Sequence, residues 1–379
     1  MKDSEIKNFS LLPVTILSSF GHNGLDWIHS LLDGHDEIVL MPAYSFFRTL
    51  DFYEKEKGKN LIENQKRQSI SKEFTEYVFN NPSYQVVRRK FLFSENDAKI
   101  FEFYLNEYLQ RTEEKSNLKA LFFGINFSYC KVFNINISNI KMIISQEHVS
   151  WHTEKYKNLF DANFIFMMRD PRAGLAGGWK RQVENAGYPS INPYDFDKGI
   201  LAGTYLEHFC KKHKKYMDEK ARIMVNEKMH QNLKKEMQDL CYWLKLDFLD
   251  SCLEETFLGK EWLGESSYLG IDQLTERPPI DFYTEENVEK RWRKRLNENE
   301  IIMIEYLFKY SFHVFGYSRD TLNNFENTFT ALYKYLFTML INPLEKEKYL
   351  LPIKVTRNFI RRIIILYFPL QASKIFKIL

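Results

Sequence analysis

A three-layer α/β fold, a central parallel sheet flanked by helices and followed by a helical C-terminal extension, is what this sequence predicts. Three observations predict it. Short apolar runs alternate with longer helical stretches along most of the chain, the order expected of parallel strands joined by crossover helices. The run NFIFMMR at residues 163–169 is apolar at almost every position, as a strand covered on both faces must be. And 379 residues with 44% hydrophobic content supply a core large enough for one such domain with an added segment.

The elements follow in order. Residues 14–20, VTILSSF, read as the first core strand, residues 21–25 as a turn, and residues 26–32 as the opening of a helix. Residues 44–119 are charged and aromatic without period-two alternation and are expected to form helices that cover the sheet and shape an acceptor cleft. Residues 120–128 and 141–145 are expected as further short strands, and residues 156–160 close a helix ahead of the 163–169 strand. Pro171 fixes φ where the next helix starts. Residues 200–243 are helical, interrupted at 221–226, ARIMVN, by one last short strand.

Composition excludes several classes. Fifty-three basic against 50 acidic residues leave a net charge of +3, too balanced for a nucleic-acid-binding protein on charge alone. Cys130, Cys210, Cys241 and Cys252 lie far apart with no CxxC or zinc-ligand spacing, so they are expected as buried thiols in a reducing compartment, with no metal bound. The N-terminus lacks a secretory signal, and no apolar window reaches the roughly 18 residues of a membrane-spanning helix. A cytoplasmic chain, soluble or peripheral at the inner face of the membrane, is therefore expected. The abundance of Lys, Asn, Ile, Phe and Tyr points to an AT-rich coding sequence and so to a bacterium.

The chemistry concentrates where the strands end. In RDPRA, from Arg169, an apolar strand delivers a cation to the start of a helix, at the sheet edge where ligands bind and where unpaired helix N–H groups favour an anion. A salt-bridged turn is the alternative reading of the same residues.

This motif resembles the one with which sulfotransferases that use 3'-phosphoadenosine 5'-phosphosulfate (PAPS) hold the donor's 3'-phosphate. The resemblance extends in order through WLKLDF near residue 245, GKEWLGESSY at 259–268 and RWRKRLNENE from Arg291 to a Gly-Tyr at 316–317, and covers about residues 10–320. It implies that Arg169 binds phosphate and that Gly177, eight residues on, stands where the family has a Ser and offers only its backbone N–H. It further implies a phosphosulfate loop after the first strand, resembling GxxRSGTT, at Gly21, His22, Asn23, Gly24, Leu25 and Asp26. His22 replaces the loop's cation, Asn23 its Ser, and Leu25 and Asp26 its two hydroxyl residues; the following IHSLLDGHDEI is close to the family's LxxLLDxHPEI.

Asp26 at a helix start reads either as a plain cap or as a like charge opposing the donor. His22 is the first choice for the general base, with Glu147 and His148 of SQEHVSWH as the second. Trp262 and Trp292 read as packing anchors, and Arg291, Arg293 and Lys294 as a solvated face more often than as donor contacts. A GxxxxGK[ST] loop is lacking, which removes a P-loop kinase of similar topology.

The implied activity is transfer of a sulfuryl group from PAPS to a hydroxyl acceptor, a glycan or lipid headgroup, with no metal and no nucleic acid. The alternative is a member that has lost catalysis and serves as a binding or scaffold protein in cell-surface polysaccharide biosynthesis. Two parts are expected, a domain over residues 1–320 and an extension over 321–379. Residues 344–379 carry eight basic and two acidic residues, and within 353–368 Phe359, Ile360, Ile363, Ile364 and Tyr367 share a helical face opposite Arg357, Arg361 and Arg362. Such a helix docks on the domain or a second subunit, or lies in a membrane interface.

Overall fold

The computed structural model describes residues 2–19, 23–41, 45–57, 61–80, 94–176, 193–262 and 290–320. Five strands, β1 (Val14–Ser18), β2 (Ile38–Leu40), β3 (Met142–Glu147), β4 (Asn163–Met168) and β5 (Ala221–Val225), form one sheet in the order β2-β3-β1-β4-β5. Every pairing in it is parallel. The oldest strand in sequence is thus the middle one, so its carboxyl end opens between those of β3 and β4, at the reversal of strand order where open α/β sheets bind ligands.

Helices fill the connections. They are α1 (Asp3–Phe9), α2 (Leu25–Leu32), α3 (Phe46–Lys57), α4 (Leu61–Asn64), α5 (Arg67–Asn80), α6 (Glu95–Arg111), α7 (Asn117–Val132), α8 (Thr153–Phe160), α9 (Pro171–Gly174), α10 (Pro193–Lys212), α11 (Lys214–Lys220), α12 (Asn226–Gln231), α13 (Leu233–Leu244), α14 (Glu298–Leu307) and α15 (Lys309–Phe315). A two-stranded antiparallel ribbon, β6 (Thr256–Phe257) with β7 (Lys260–Glu261), follows α13.

Strand alternation divides the core into two. Val14, Ile16, Phe164, Phe166 and Met168 face a cluster completed by Phe46 and Tyr53 of α3, Phe74 of α5, Leu105 and Tyr108 of α6 and Phe122 and Phe127 of α7. Leu17, Ile144, Ile165 and Met167 face the opposite way, against Ile28 and Leu31 of α2 and Met237 and Leu240 of α13. Side chains of successive strand residues point to opposite faces, so β4 being apolar at both parities is what a sandwiched strand requires. A third cluster, Ala173, Leu175, Trp292, Ile304, Phe308 and Phe312, packs the turn after β4 against α14 and α15.

Residues 120–128 are the main departure from the expected elements: they lie inside α7, not in a strand. Its sequence, NLKALFFGINFSYCKV, is buried from Ala120 through Cys130, so neither the helical nor the strand period shows in it. The decisive signal is local, Ser116 capping the helix by accepting from the Lys119 N–H. Gly124 makes the close packing on α6 possible, since a Cβ there would stand 2.8 Å from Leu105 Cδ1. The strand missing from the sequence reading is β2, whose three residues are too short to display a period.

Residues 44–119, where described, form helices joined by short coil and contain no strand. No helix among the described residues is long and apolar enough to cross a membrane. The extension over 321–379, with its amphipathic segment 353–368, lies outside the described residues.

Candidate functional site

β1 runs beside β4 with Ser18 opposite Phe166, which brings the exit of β1 (Asn23, Gly24) and the exit of β4 (Arg169, Asp170) to one edge of the sheet. Gly24 is the N-cap of α2 and adopts φ 89° and ψ 26°, a left-handed conformation that glycine takes without the steric cost a Cβ would bring. The end of β5 closes in as well: Asn226 Nδ2 donates to the Asn23 carbonyl at 3.4 Å and stands 2.6 Å from where a Cβ on Gly24 would be. Asn23 is fully buried, and neither end of its amide has a hydrogen-bond partner among the described residues; the same holds for the Ser18 hydroxyl. Buried amides left this way are costly, and they cluster where a structure expects a ligand or water.

Arg169 is half-buried at this edge. Burial, with the charge of Arg169 second, pushes the His230 imidazole down to about 4, so it is neutral near pH 7. The His230 ring stacks on Trp27 of α2 with centroids 4.4 Å apart and planes at 19°, while Trp27 Nε1 donates to Glu255 at 2.7 Å. Glu227, at the start of α12, accepts from the Asp170 N–H at 3.1 Å and from the Tyr317 hydroxyl at 2.8 Å. Its burial raises its pKa, and Arg169 and these bonds pull the other way.

The second arginine of the turn has a different place. Arg172 is 3% exposed, donates twice from one edge to Asp170 and reaches Glu305 at 2.8 Å, with the Ser318 carbonyl at 3.0 Å. Its guanidinium lies 4.2 Å from the centre of the Trp292 ring and 4.9 Å from that of Phe312. Asp170 meanwhile caps α9 by accepting from the Arg172 N–H at 2.8 Å. One half of RDPR is therefore the salt-bridged turn, and the other half faces the crest.

Asp26 does not occupy the N-cap of α2, which is Gly24. Its carboxylate accepts from Gln146 Nε2 of β3 at 2.5 Å. The same amide nitrogen lies 2.9 Å from His148 Nε2, and the amide oxygen lies 2.5 Å from His29 Nδ1. Since the amide nitrogen can only donate, His148 Nε2 accepts and carries a lone pair, while His29 Nδ1 bears the proton. His148 Nε2 also lies 3.9 Å from Asp26. Complete burial pushes His29 down to about 4, despite the opposing charge of Asp26, and keeps it neutral.

Glu147, next along β3, is fully buried and committed to the fold. It accepts from the Val149 N–H at 3.0 Å and the Tyr156 hydroxyl at 3.2 Å. His152 Nδ1 approaches it at 3.2 Å as an ion pair, outside hydrogen-bond geometry, and His152 Nε2 reaches Asp51 at 2.7 Å. Burial would discharge His152, but Glu147 and Asp51 overcome it and raise its pKa. This carboxylate–histidine–carboxylate chain anchors α3 and α8 to β3 and commits Glu147 to the fold.

Of the residues expected at the site, Asn23, Gly24, Leu25, Asp26 and Arg169 come to one sheet edge, joined by His148. Gly21, His22 and Gly177 lie outside the described residues, as does most of 259–268 beyond Trp262. Trp292 is a packing anchor as read, and Arg293 pairs with Asp320. His29, Gln146, Asn226, Glu227 and His230 had not been expected there. The signal for the last three was present in NEKMHQ, a polar run directly after the last strand and hence at the same crest.

No family model matches this chain, and no curated protein matches it. Among solved structures it is similar to the sulfotransferase domain from the curacin biosynthetic pathway, at 12% identity and TM-score 0.45 over 81% of this chain and 99% of that one. It is similar also to the sulfotransferase domain from the Synechococcus PCC 7002 olefin synthase, at 12% identity and TM-score 0.48 over 81% of this chain and 95% of that one. Likenesses this distant do not carry an activity.

Proposed function

We propose that this chain is a sulfotransferase that binds PAPS at the β1–β4 crest and transfers its sulfuryl group to a hydroxyl acceptor, a glycan or lipid headgroup. The observation that carries the reading is the placement of a glycine-capped helix start, at Gly24, on the strand next to the one that delivers Arg169. The first N–H groups of α2 have no helical partner and carry partial positive charge, which suits the 5'-phosphosulfate; Arg169 suits the 3'-phosphate. The Trp27–His230 stack beside Arg169 offers an aromatic face for the purine.

Gln146 removes one objection to donor binding. Because it holds the Asp26 carboxylate toward β3, that carboxylate is engaged away from the helix start it would otherwise cap. The base is His148, once its Nε2 gives up the Gln146 N–H, or His22: the acceptor oxygen attacks sulfur, its proton passes to that ring nitrogen, and the bond from sulfur to the 5'-phosphate oxygen breaks. Sulfuryl transfer asks chiefly for alignment and for positive charge on the leaving phosphate.

The second reading, a donor-free binding or scaffold protein, is favoured by one observation, the retained carboxylate of Asp26 at the crest. Calorimetric titration with 3'-phosphoadenosine 5'-phosphate, the spent donor, separates the two. The enzyme reading expects micromolar binding, weakened about 10- to 100-fold in Arg169→Ala as one charged hydrogen-bonding group is lost. Absence of binding at millimolar concentration would leave the scaffold reading in place.

A further inference from the structure

At the far end of α2 from the crest, about 12 Å along an eight-residue helix, three side chains from separate elements converge. They are His35, just beyond α2, Cys241 of α13, and Cys252 of the 3-10 turn Asp250–Leu253. One ring nitrogen and the two sulfurs all lie within 4.8 Å of one another, and all three residues are buried. We infer that they form a site for a single zinc-class divalent cation, held by two thiolates and a neutral imidazole.

The histidine is set up for the role. His35 Nδ1 accepts from the Glu37 N–H at 3.2 Å, and Nε2 lies 2.9 Å from the Asp247 carbonyl oxygen, which can only accept. The proton is therefore on Nε2, and Nδ1 keeps the lone pair. A ring N–H pinned by a backbone carbonyl is the arrangement that fixes the tautomer and aim of metal-binding histidines. A metal on Nδ1 would replace the bond from the Glu37 N–H, and the other near neighbour of this nitrogen is Asp36 Oδ1 at 3.8 Å.

Charge fits as well. The surroundings are apolar: Leu240, Leu244 and Leu246 belong to the same cluster as both cysteines. A lone thiolate there is expensive, but two thiolates with a divalent ion and a neutral ring sum to zero, the balance such a place tolerates. Loading releases two protons, one from each thiol. The two sulfurs are already neighbours, within 4.8 Å of each other and of the ring nitrogen. Cys130 and Cys210 belong to no such group among the described residues, and burial pushes both thiols up to about 12. Cys2His with one open position is an established zinc ligand set. At the opposite end of α2 from the crest, its role would be to staple α2, α13 and the 250–253 turn.

The test uses the full chain, reduced and stripped of metal, titrated with Co2+ and then Zn2+. One equivalent of Co2+ should produce a thiolate-to-cobalt charge-transfer band that Zn2+ bleaches, with two protons released per ion. Cys241→Ser and Cys252→Ser should each lose the band, while Cys210→Ala keeps it. Should a serine variant fail to fold, X-ray absorption of the zinc-loaded wild type decides, with two sulfurs expected at about 2.3 Å. A zinc shell of oxygen and nitrogen only, no saturable band, or a band that survives in Cys252→Ser would overturn the site. So would oxidation of the pair to a disulfide as its sole chemistry under loading conditions.

Discussion

Arg169 and Arg172 stand three residues apart in one turn, yet the fold uses them in opposite ways. Arg172 is sealed among Asp170, Glu305 and two aromatic rings and ties the turn to α14 and α15. Arg169 remains half-buried at the sheet edge, beside neutral His230 and Glu227. Arg172 pairs with three carboxylates, Asp170, Glu305 and Asp320, and serves the fold; Arg169 stands at the exit of the strand next to a glycine-capped helix start, where the proposed function puts an anion. The salt-bridged turn thus occupies the second half of RDPR, and the proposed anion contact falls to the first.

The largest effect that would break this comparison is on Arg172. Replacing it with Ala strands Asp170 and Glu305 in a buried setting, and urea denaturation should show a loss of about 3–5 kcal/mol. Arg169→Ala should cost about 1 kcal/mol or less, because a partly exposed cation contributes little to stability. Equal losses in the two variants would erase the distinction.

Acid should sharpen it next. His29 and His230 both have folded values near 4 against an ordinary 6.5, so the fold prefers them neutral. The unfolded chain then takes up protons that the folded chain refuses, and stability is full above about pH 6.5 and falls as pH drops toward 4. His152 has the opposite sign: its raised value adds stability below pH 6.5 that is lost as pH rises through its folded pKa. His29→Gln should flatten the acid slope between pH 6.5 and 4 by about one proton in a pH series of denaturation curves. An unchanged slope would contradict the burial account of His29.

Gly24→Ala is smaller in stability and tests the other crest. A left-handed φ and contact with Asn226 Nδ2 should cost about 1–2 kcal/mol and weaken nucleotide binding together. Smallest is Asp26→Asn, which removes a like charge that Gln146 already engages and should tighten 3'-phosphoadenosine 5'-phosphate binding about 2- to 5-fold, measured by calorimetry.

What was legible in the sequence follows from how local each signal is. The strands at Val14, Met142, Asn163 and Ala221 and the helices after Gly24 and Pro171 are announced by apolar runs with adjacent breakers, and they stand where expected. α7 was hidden because a helix buried on all sides has no polar face to reveal its period. The positions of Gly24 and Arg169 at the sheet edge were readable because each belongs to a short motif. The role of Asp26 was not, because its partner Gln146 is 120 residues away on a neighbouring strand. The same holds for His35, Cys241 and Cys252, whose proximity exists only once α2 and α13 pack side by side.

The central claim, that Arg169 holds a phosphate on the ribose 3' position while the α2 start holds the 5' group, is tested most directly by a ratio. Affinities of wild type and Arg169→Ala for 3'-phosphoadenosine 5'-phosphate and for adenosine 5'-monophosphate should be measured side by side. The account predicts at least about a tenfold preference for the bisphosphate in the wild type, worth ~1.4 kcal/mol, and none in the variant. Equal affinity of the wild type for both nucleotides, or a preference that survives in Arg169→Ala, would contradict it.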